Sequence, residues 1–80
     1  MKYADDQSFA KHFGEFVRDG RIKGKLSQQD LANHLGMTQP YLSRIEQGTR
    51  SVDLELAVKI CSFLNLDLND FLSKDPRNKD

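Results

Sequence analysis

The side chains of this 80-residue chain that could do chemistry are few, and they are of two kinds. The first kind reacts or holds metal, and comprises one cysteine and two histidines. Cys61 has no partner for an intrachain disulfide and sits in the apolar run AVKICSFL, where the expected role is a small buried hydrophobe. His12 and His34 have no Cys or acidic residue beside them in zinc-ligand spacing, so neither a metal nor any other cofactor is indicated. Counting residues does not exclude a Ser-His-Asp or Cys-His site, but so short a chain has little wall from which to build a substrate pocket, and no enzyme is expected. The second kind is planar and hydrogen-bonding: the amides of Gln28 and Gln39 and the guanidinium of Arg44. An amide donates and accepts in one plane and a guanidinium is a fork of donors, groups that recognise rather than react.

The elements that must position these groups follow from apolar spacing. Phe9, Phe13, Phe16 and Val17 recur at i, i+4, i+7 and i+8, which predicts a helix opening near Ser8 and running to about Ile22, with its aromatics in the core. Gly20 interrupts it at about 1 kcal/mol relative to Ala, so the last turn is expected to fray, and Gly24 offers a left-handed end. Ser27 can cap a second helix through the amide of Asp30, and Gly36 stops that helix after two turns. Thr38 caps a third, with Pro40 in its first turn, where a missing amide loses no intrahelical bond, and Gly48 ends it. Asp53 caps a fourth helix striped with Leu54, Ala57, Val58, Cys61 and Leu64. After Asn65, Asp67 caps a short fifth helix carrying Leu68, Phe71 and Leu72. Segments of period 2 are absent, so the class is all-α. One domain is expected over residues 1–80, with an ordered core at about 8–73 and a polar tail at 74–80 too hydrophilic to pack.

Composition narrows the partners less than charge placement does. With 38% apolar and 30% charged residues the chain is globular, and no apolar run approaches the roughly 20 residues that span a bilayer. Acidic residues near the N-terminus occupy the place of a signal peptide's basic region, which predicts no export and a cytoplasmic location. The net charge is zero, weakly against a nucleic-acid partner. Yet residues 18–50 carry six basic against three acidic side chains, while residues 51–80 carry four against six. Charge alone favours an ordinary solvated surface over a nucleic-acid face.

Two short helices joined by a tight turn form the unit whose second helix enters the DNA major groove. Counted from Gln28, that unit requires a small fifth residue for close helix approach, a glycine at the ninth to turn, and apolar residues at the fourth, eighth, tenth, fifteenth and eighteenth. Ala32, Gly36, Leu31, Leu35, Met37, Leu42 and Ile45 meet all seven requirements. On these residues, with Phe13-Gly14, Arg21, the S-x-x-E-x-G segment Ser43 to Gly48 and the final Leu68-Asn69-Asp70-Phe71-Leu72, the chain resembles the lambda-repressor-like, or XRE-type, helix-turn-helix family over about residues 13–72. It departs from the family pattern at Gly20, at Gly24-Lys25, and at Val52, where a proline is common.

The resemblance implies a compact five-helix bundle that binds operator DNA, commonly as a dimer on a palindrome, without cofactor. It also implies roles for particular residues. Gln28 would bind a phosphate and brace the recognition helix while Gln39 reaches a base edge, since its amide matches adenine N6 and N7; otherwise both are ordinary polar surface. Arg44 would read guanine or bind phosphate, the alternative being a salt bridge with a neighbouring acid. Pro40 offers only apolar contact, for instance to a thymine methyl. Tyr41 and Ser43 are expected beside phosphate or base, and Thr38, Thr49 and Arg50 suit phosphate contacts. Glu46 would face inward and pair with Arg21, against the alternative of two independent surface charges.

These features point to a DNA-binding transcriptional regulator, a repressor or autoregulator, with double-stranded DNA as partner and a homodimer as its form. Leu66, Leu68, Phe71 and Leu72, with part of the fourth helix, could supply the self-association surface or could simply cap the core. The rival readings are the antitoxin of a toxin–antitoxin pair, or another regulator whose chief partner is a protein, and a restriction–modification controller.

Overall fold

A computed structural model describes residues 6–73, with side chains from Phe9 onward. The polar tail at 74–80 lies outside the described residues. Five helices follow in order: α1 (Asp6–Lys23), α2 (Gln28–Leu35), α3 (Gln39–Gln47), α4 (Leu54–Leu64) and α5 (Leu68–Ser73). No strand occurs among the described residues, and no helix among them is long and apolar enough to cross a membrane.

Short polar side chains start the helices where their spacing predicts. The Ser27 hydroxyl accepts from the Asp30 amide (3.0 Å) while the Asp30 carboxylate accepts from the Ser27 amide (3.3 Å), a reciprocal capping box. Thr38 Oγ1 accepts from the Tyr41 amide, Asp53 Oδ1 from that of Leu56, and Asp67 Oδ1 from that of Asn69. At the other ends, α1 to α4 all close in one pattern. A residue one or two positions past the helix takes a left-handed conformation, and the amide after it reaches back five residues, as in Leu26 to the Arg21 carbonyl and Thr49 to that of Arg44. Gly36 and Gly48 supply the left-handed residue for α2 and α3, and Asn65 (φ 58°) for α4.

The end of α1 differs from the sequence expectation. The left-handed residue is Lys25 (φ 60°), not Gly24, and the helix continues intact through Gly20 to Lys23. It starts at Asp6, two residues before the expected Ser8. The Lys25 and Leu26 amides bond the Ile22 and Arg21 carbonyls, which places the turn one residue later than the glycine. Gly20 is retained in the helix because its bare Cα faces Leu66, whose Cδ1 would stand 2.6 Å from an added Cβ.

The core is built from Phe13 and Val17 of α1, Leu31, Ala32 and Leu35 of α2, Leu42 and Ile45 of α3, Ile60 and Cys61 of α4, and Phe71 of α5. Phe71 stands edge-on to Phe9 and Phe13, at centroid distances of 5.7 and 5.6 Å, and tilted against Phe16 at 5.0 Å. Edge-to-face rings at these separations contribute beyond their buried area, so one aromatic residue fastens the six-residue α5 to α1. Phe71 is therefore core, and Leu66 and Leu68 pack half-buried against it. Burial, with the charge of Asp67 adding to it, pushes the Cys61 thiol above its ordinary value.

Candidate nucleic-acid interface

The placement of α3 is set by backbone contact before any side chain acts. At Gly14 of α1 an added Cβ would lie 2.3 Å from the Ile45 carbonyl oxygen and 2.7 Å from that of Glu46. At Gly48 it would lie 2.6 Å from Lys11 Cα. Only residues without a Cβ let α1 and the end of α3 approach this closely. Leu42 and Ile45, both fully buried, hold the rest of α3 against the core.

A single carboxylate then joins three helices. Glu46 of α3 is buried, its side chain only 3% exposed, and Arg21 of α1 grips it by two bonds: Nε to Oε2 at 2.7 Å and Nη2 to Oε1 at 3.0 Å. The remaining terminal nitrogen of Arg21 donates to the Leu26 carbonyl at 2.8 Å, anchoring the guanidinium. From α2, Gln28 Nε2 donates to Glu46 Oε1 at 3.0 Å, and Gln28 Oε1 accepts from Gln39 Nε2 at the start of α3. Buried charge is tolerated where it is paired and hydrogen-bonded in this way, and no buried side-chain polar atom among the described residues lacks a partner.

With Leu42, Ile45 and Glu46 turned inward, the opposite stripe of α3 is Gln39, Pro40, Ser43, Arg44 and Gln47. Pro40, Arg44 and Gln47 are exposed, and Gln39 and Ser43 half-buried. No described carboxylate pairs with Arg44, which leaves its donors free on the outer face. Gln47 Nε2 donates to Ser43 Oγ at 3.0 Å. Exposed Thr38 lies at the N-terminal end of α3 and Thr49 just past its C-terminal end, where the Thr49 hydroxyl bonds the Arg44 carbonyl. The Arg50 guanidinium, beyond the end of α3, stacks over the ring of Tyr41 in its first turn, 4.6 Å from the centroid, so the two residues form one cationic-aromatic unit.

The structure therefore brings Gln28, Gln39, Arg21 and Glu46 into one network, and Tyr41 and Arg50 into another. Three residues that sequence reasoning did not assign share the surface. Gln47 completes the outer stripe of α3, and Lys11 and Arg18 line an open cleft with Gln28, Arg21, Glu15 and Glu46. Helical spacing contains the signal for all three: Gln47 is eight residues from Gln39, and Lys11 and Arg18 are seven apart on α1. No group of three or more His, Cys, Asp or Glu that could hold a metal occurs among the described residues. What the arrangement can do chemically is present a rigid, outward row of donors and acceptors flanked by cations, on a helix about as wide as a major groove.

Comparison with known proteins agrees with this geometry. A family model described as helix-turn-helix matches residues 17–71. The ImmF control region 10 kDa protein of Bacillus phage phi105 is 37% identical over 59 residues, 74% of this chain; the chain spans 66% of that relative's length. Control protein C.BamHI of Bacillus amyloliquefaciens is 39% identical over 61 residues, 75% of each chain. Among solved structures, the restriction-modification controller protein C.AhdI of Aeromonas hydrophila superposes with a TM-score of 0.74 at 28% identity, over 84% of this chain and 97% of that one.

Proposed function

Because the chain belongs to the XRE-type, lambda-repressor-like helix-turn-helix family, we propose that it is a DNA-binding transcriptional regulator, not an enzyme, and that it seats α3 in the major groove of an operator. The observation that carries this reading is the joint at Glu46. It locks α3 to α1 and α2, and thereby presents Gln39, Pro40, Ser43 and Arg44 as a fixed outward row. In this reading Gln39 pairs with adenine N6 and N7, Arg44 reads guanine or holds phosphate, and Pro40 meets a thymine methyl. Gln28, Thr38, Tyr41, Ser43, Thr49 and Arg50 sit against the sugar-phosphate backbone and fix the register.

One α3 reads only a few base pairs, so specificity calls for two copies on a palindrome with half-sites one helical turn apart. Phe71 is spent on the core, which moves the self-association surface to the apolar residues left outside. Among these, Leu54 and Val58, one turn apart on α4 and 71% and 49% exposed, with Leu72 of α5, make up the proposed surface. The role is that of a repressor or autoregulator. A second reading, control of a restriction–modification system, is favoured by the similarity to C.BamHI and C.AhdI.

Selection of bound sequences from random duplexes tests the proposal, with sedimentation of the protein alone and on the selected duplex. An inverted repeat bound by two chains is expected. Enrichment of no sequence would overturn DNA reading, and enrichment of a single unrepeated half-site would overturn the dimer.

A further inference from the structure

We infer that Glu46, which faces away from the outer surface of α3, sets which way round the Gln39 amide points and so determines the base preference at that position. This rests on the proposed reading of DNA by Gln39. An ionised carboxylate can only accept hydrogen bonds. Both Glu46 oxygens already accept from Arg21, whose guanidinium cannot turn away because Leu26 holds it from the other side. Gln28 must therefore offer its NH2 group to Glu46 and point its carbonyl toward Gln39. That carbonyl takes one N–H of Gln39. What remains for the outer face of Gln39 is its own carbonyl and its second N–H, one acceptor and one donor side by side.

This edge matches adenine, which presents the N7 acceptor and the N6 donor. Reversal of the chain would turn the Gln39 carbonyl inward to Gln28 and leave two N–H groups outside, the match for guanine N7 and O6. Hydrogen-bond polarity thus passes from an inner charge to the reading edge through contacts that span 25, 18 and 11 residues of sequence. Glu46 acts as a positioning residue, through Gln28.

Glu46→Gln tests it, because a side chain that can both donate and accept removes the fixed polarity at nearly the same shape. Duplexes that differ only at the base whose preference disappears in Gln39→Ala are compared for each variant. The wild-type chain should favour adenine over guanine there by roughly 5- to 150-fold. Glu46→Gln should bring the ratio within about threefold while preferences elsewhere in the half-site stay as they were. A folded Glu46→Gln that keeps the wild-type ratio, or loses affinity equally for every base, overturns the inference. Gln28→Leu leaves the Arg21–Glu46 pair whole and should relax the same ratio, so it decides the matter if Glu46→Gln fails to fold. A second readout needs no DNA: in the free protein, 15N spectra should show one slowly exchanging Gln39 side-chain proton, lost in both variants. Wild-type selection that enriches no sequence would sink the DNA reading alone, and the spectra would still decide the polarity relay.

Discussion

Substituting Gly14 with alanine sets two physical effects against each other, and the structure says which wins. Gly14 lies inside α1, where replacing glycine by alanine ordinarily stabilises a helix by about 1 kcal/mol. The new methyl group, however, would stand 2.3 Å from the Ile45 carbonyl oxygen, 2.7 Å from that of Glu46 and 2.9 Å from the Glu46 carbonyl carbon. Van der Waals contact between carbon atoms is optimal at about 3.5–4.0 Å, so α3 must retreat by roughly 1 Å. All three opposing atoms are backbone, so no side chain can swing aside. Overpacking of this kind costs about 1–3 kcal/mol, and a backbone clash belongs at the upper end. Subtracting the gain in helix propensity leaves a net loss of about 2 kcal/mol, or roughly 8–16 °C in Tm for a domain of this size. Circular dichroism melts at matched protein concentration measure it. Gly20→Ala is the control: its methyl meets Leu66 Cδ1, the end of a side chain that can rotate, and stability should change by less than about 1 kcal/mol. A Gly14→Ala protein melting at or above the wild-type temperature would refute the claim that backbone contact positions α3.

Four further outcomes are expected. Gln39→Ala should lower affinity for the selected operator by roughly 5- to 150-fold while leaving affinity for unrelated DNA nearly unchanged; equal loss on both would remove it from the base-reading set. Arg50→Ala should weaken binding to all duplexes and reduce the slope of log affinity against log salt by about 1, and an unchanged slope would take Arg50 off the phosphate contacts. Lys25→Gly should relieve a left-handed lysine and raise stability by about 1 kcal/mol, read from urea melts; no gain would mean that the αL turn carries no strain. The raised Cys61 thiol implies stability fully present below the unfolded thiol value, near 9.0, and lost as pH rises through the higher folded value, because the unfolded chain ionises first. Urea midpoints should therefore fall more steeply at alkaline pH for the wild-type chain than for Cys61→Ala, and parallel profiles would contradict the burial argument.

Much of the fold was legible because its signals are local. Ser27, Thr38, Asp53 and Asp67 each bond an amide two or three residues away, so a short window of sequence contains the whole interaction. The apolar stripes of α1 and α4 are likewise periodic within one helix. What was not legible depends on distant partners. Glycine content pointed to Gly24 as the end of α1, yet which residue turns left-handed was decided by how Leu26 meets the Arg21 carbonyl and guanidinium. The sequence left Phe71 between core and self-association because its three ring partners lie more than fifty residues earlier. The pairing of Arg21 with Glu46 was available only through family resemblance, and neither the Gln28–Glu46 bond nor the stacking of Arg50 on Tyr41 leaves a periodic trace.

The network at Glu46 divides the outer face of α3 into two classes of position with different prospects for change. Pro40, Arg44 and Gln47 are exposed and stand outside the core and the Glu46 joint, so each can be exchanged without unsettling the scaffold, and operator preference can drift there one substitution at a time. Gln39 is tethered. Its replacement leaves the Gln28 carbonyl without its donor and alters a network that reaches Arg21, so a new base preference at that position calls for concerted change at Gln28 and Glu46 as well. A lineage descended from this chain should therefore diversify quickly at Pro40, Arg44 and Gln47 and hold Gln39 nearly constant, and a library built for redesign should randomise those three freely and treat Gln28, Gln39 and Glu46 as a single unit.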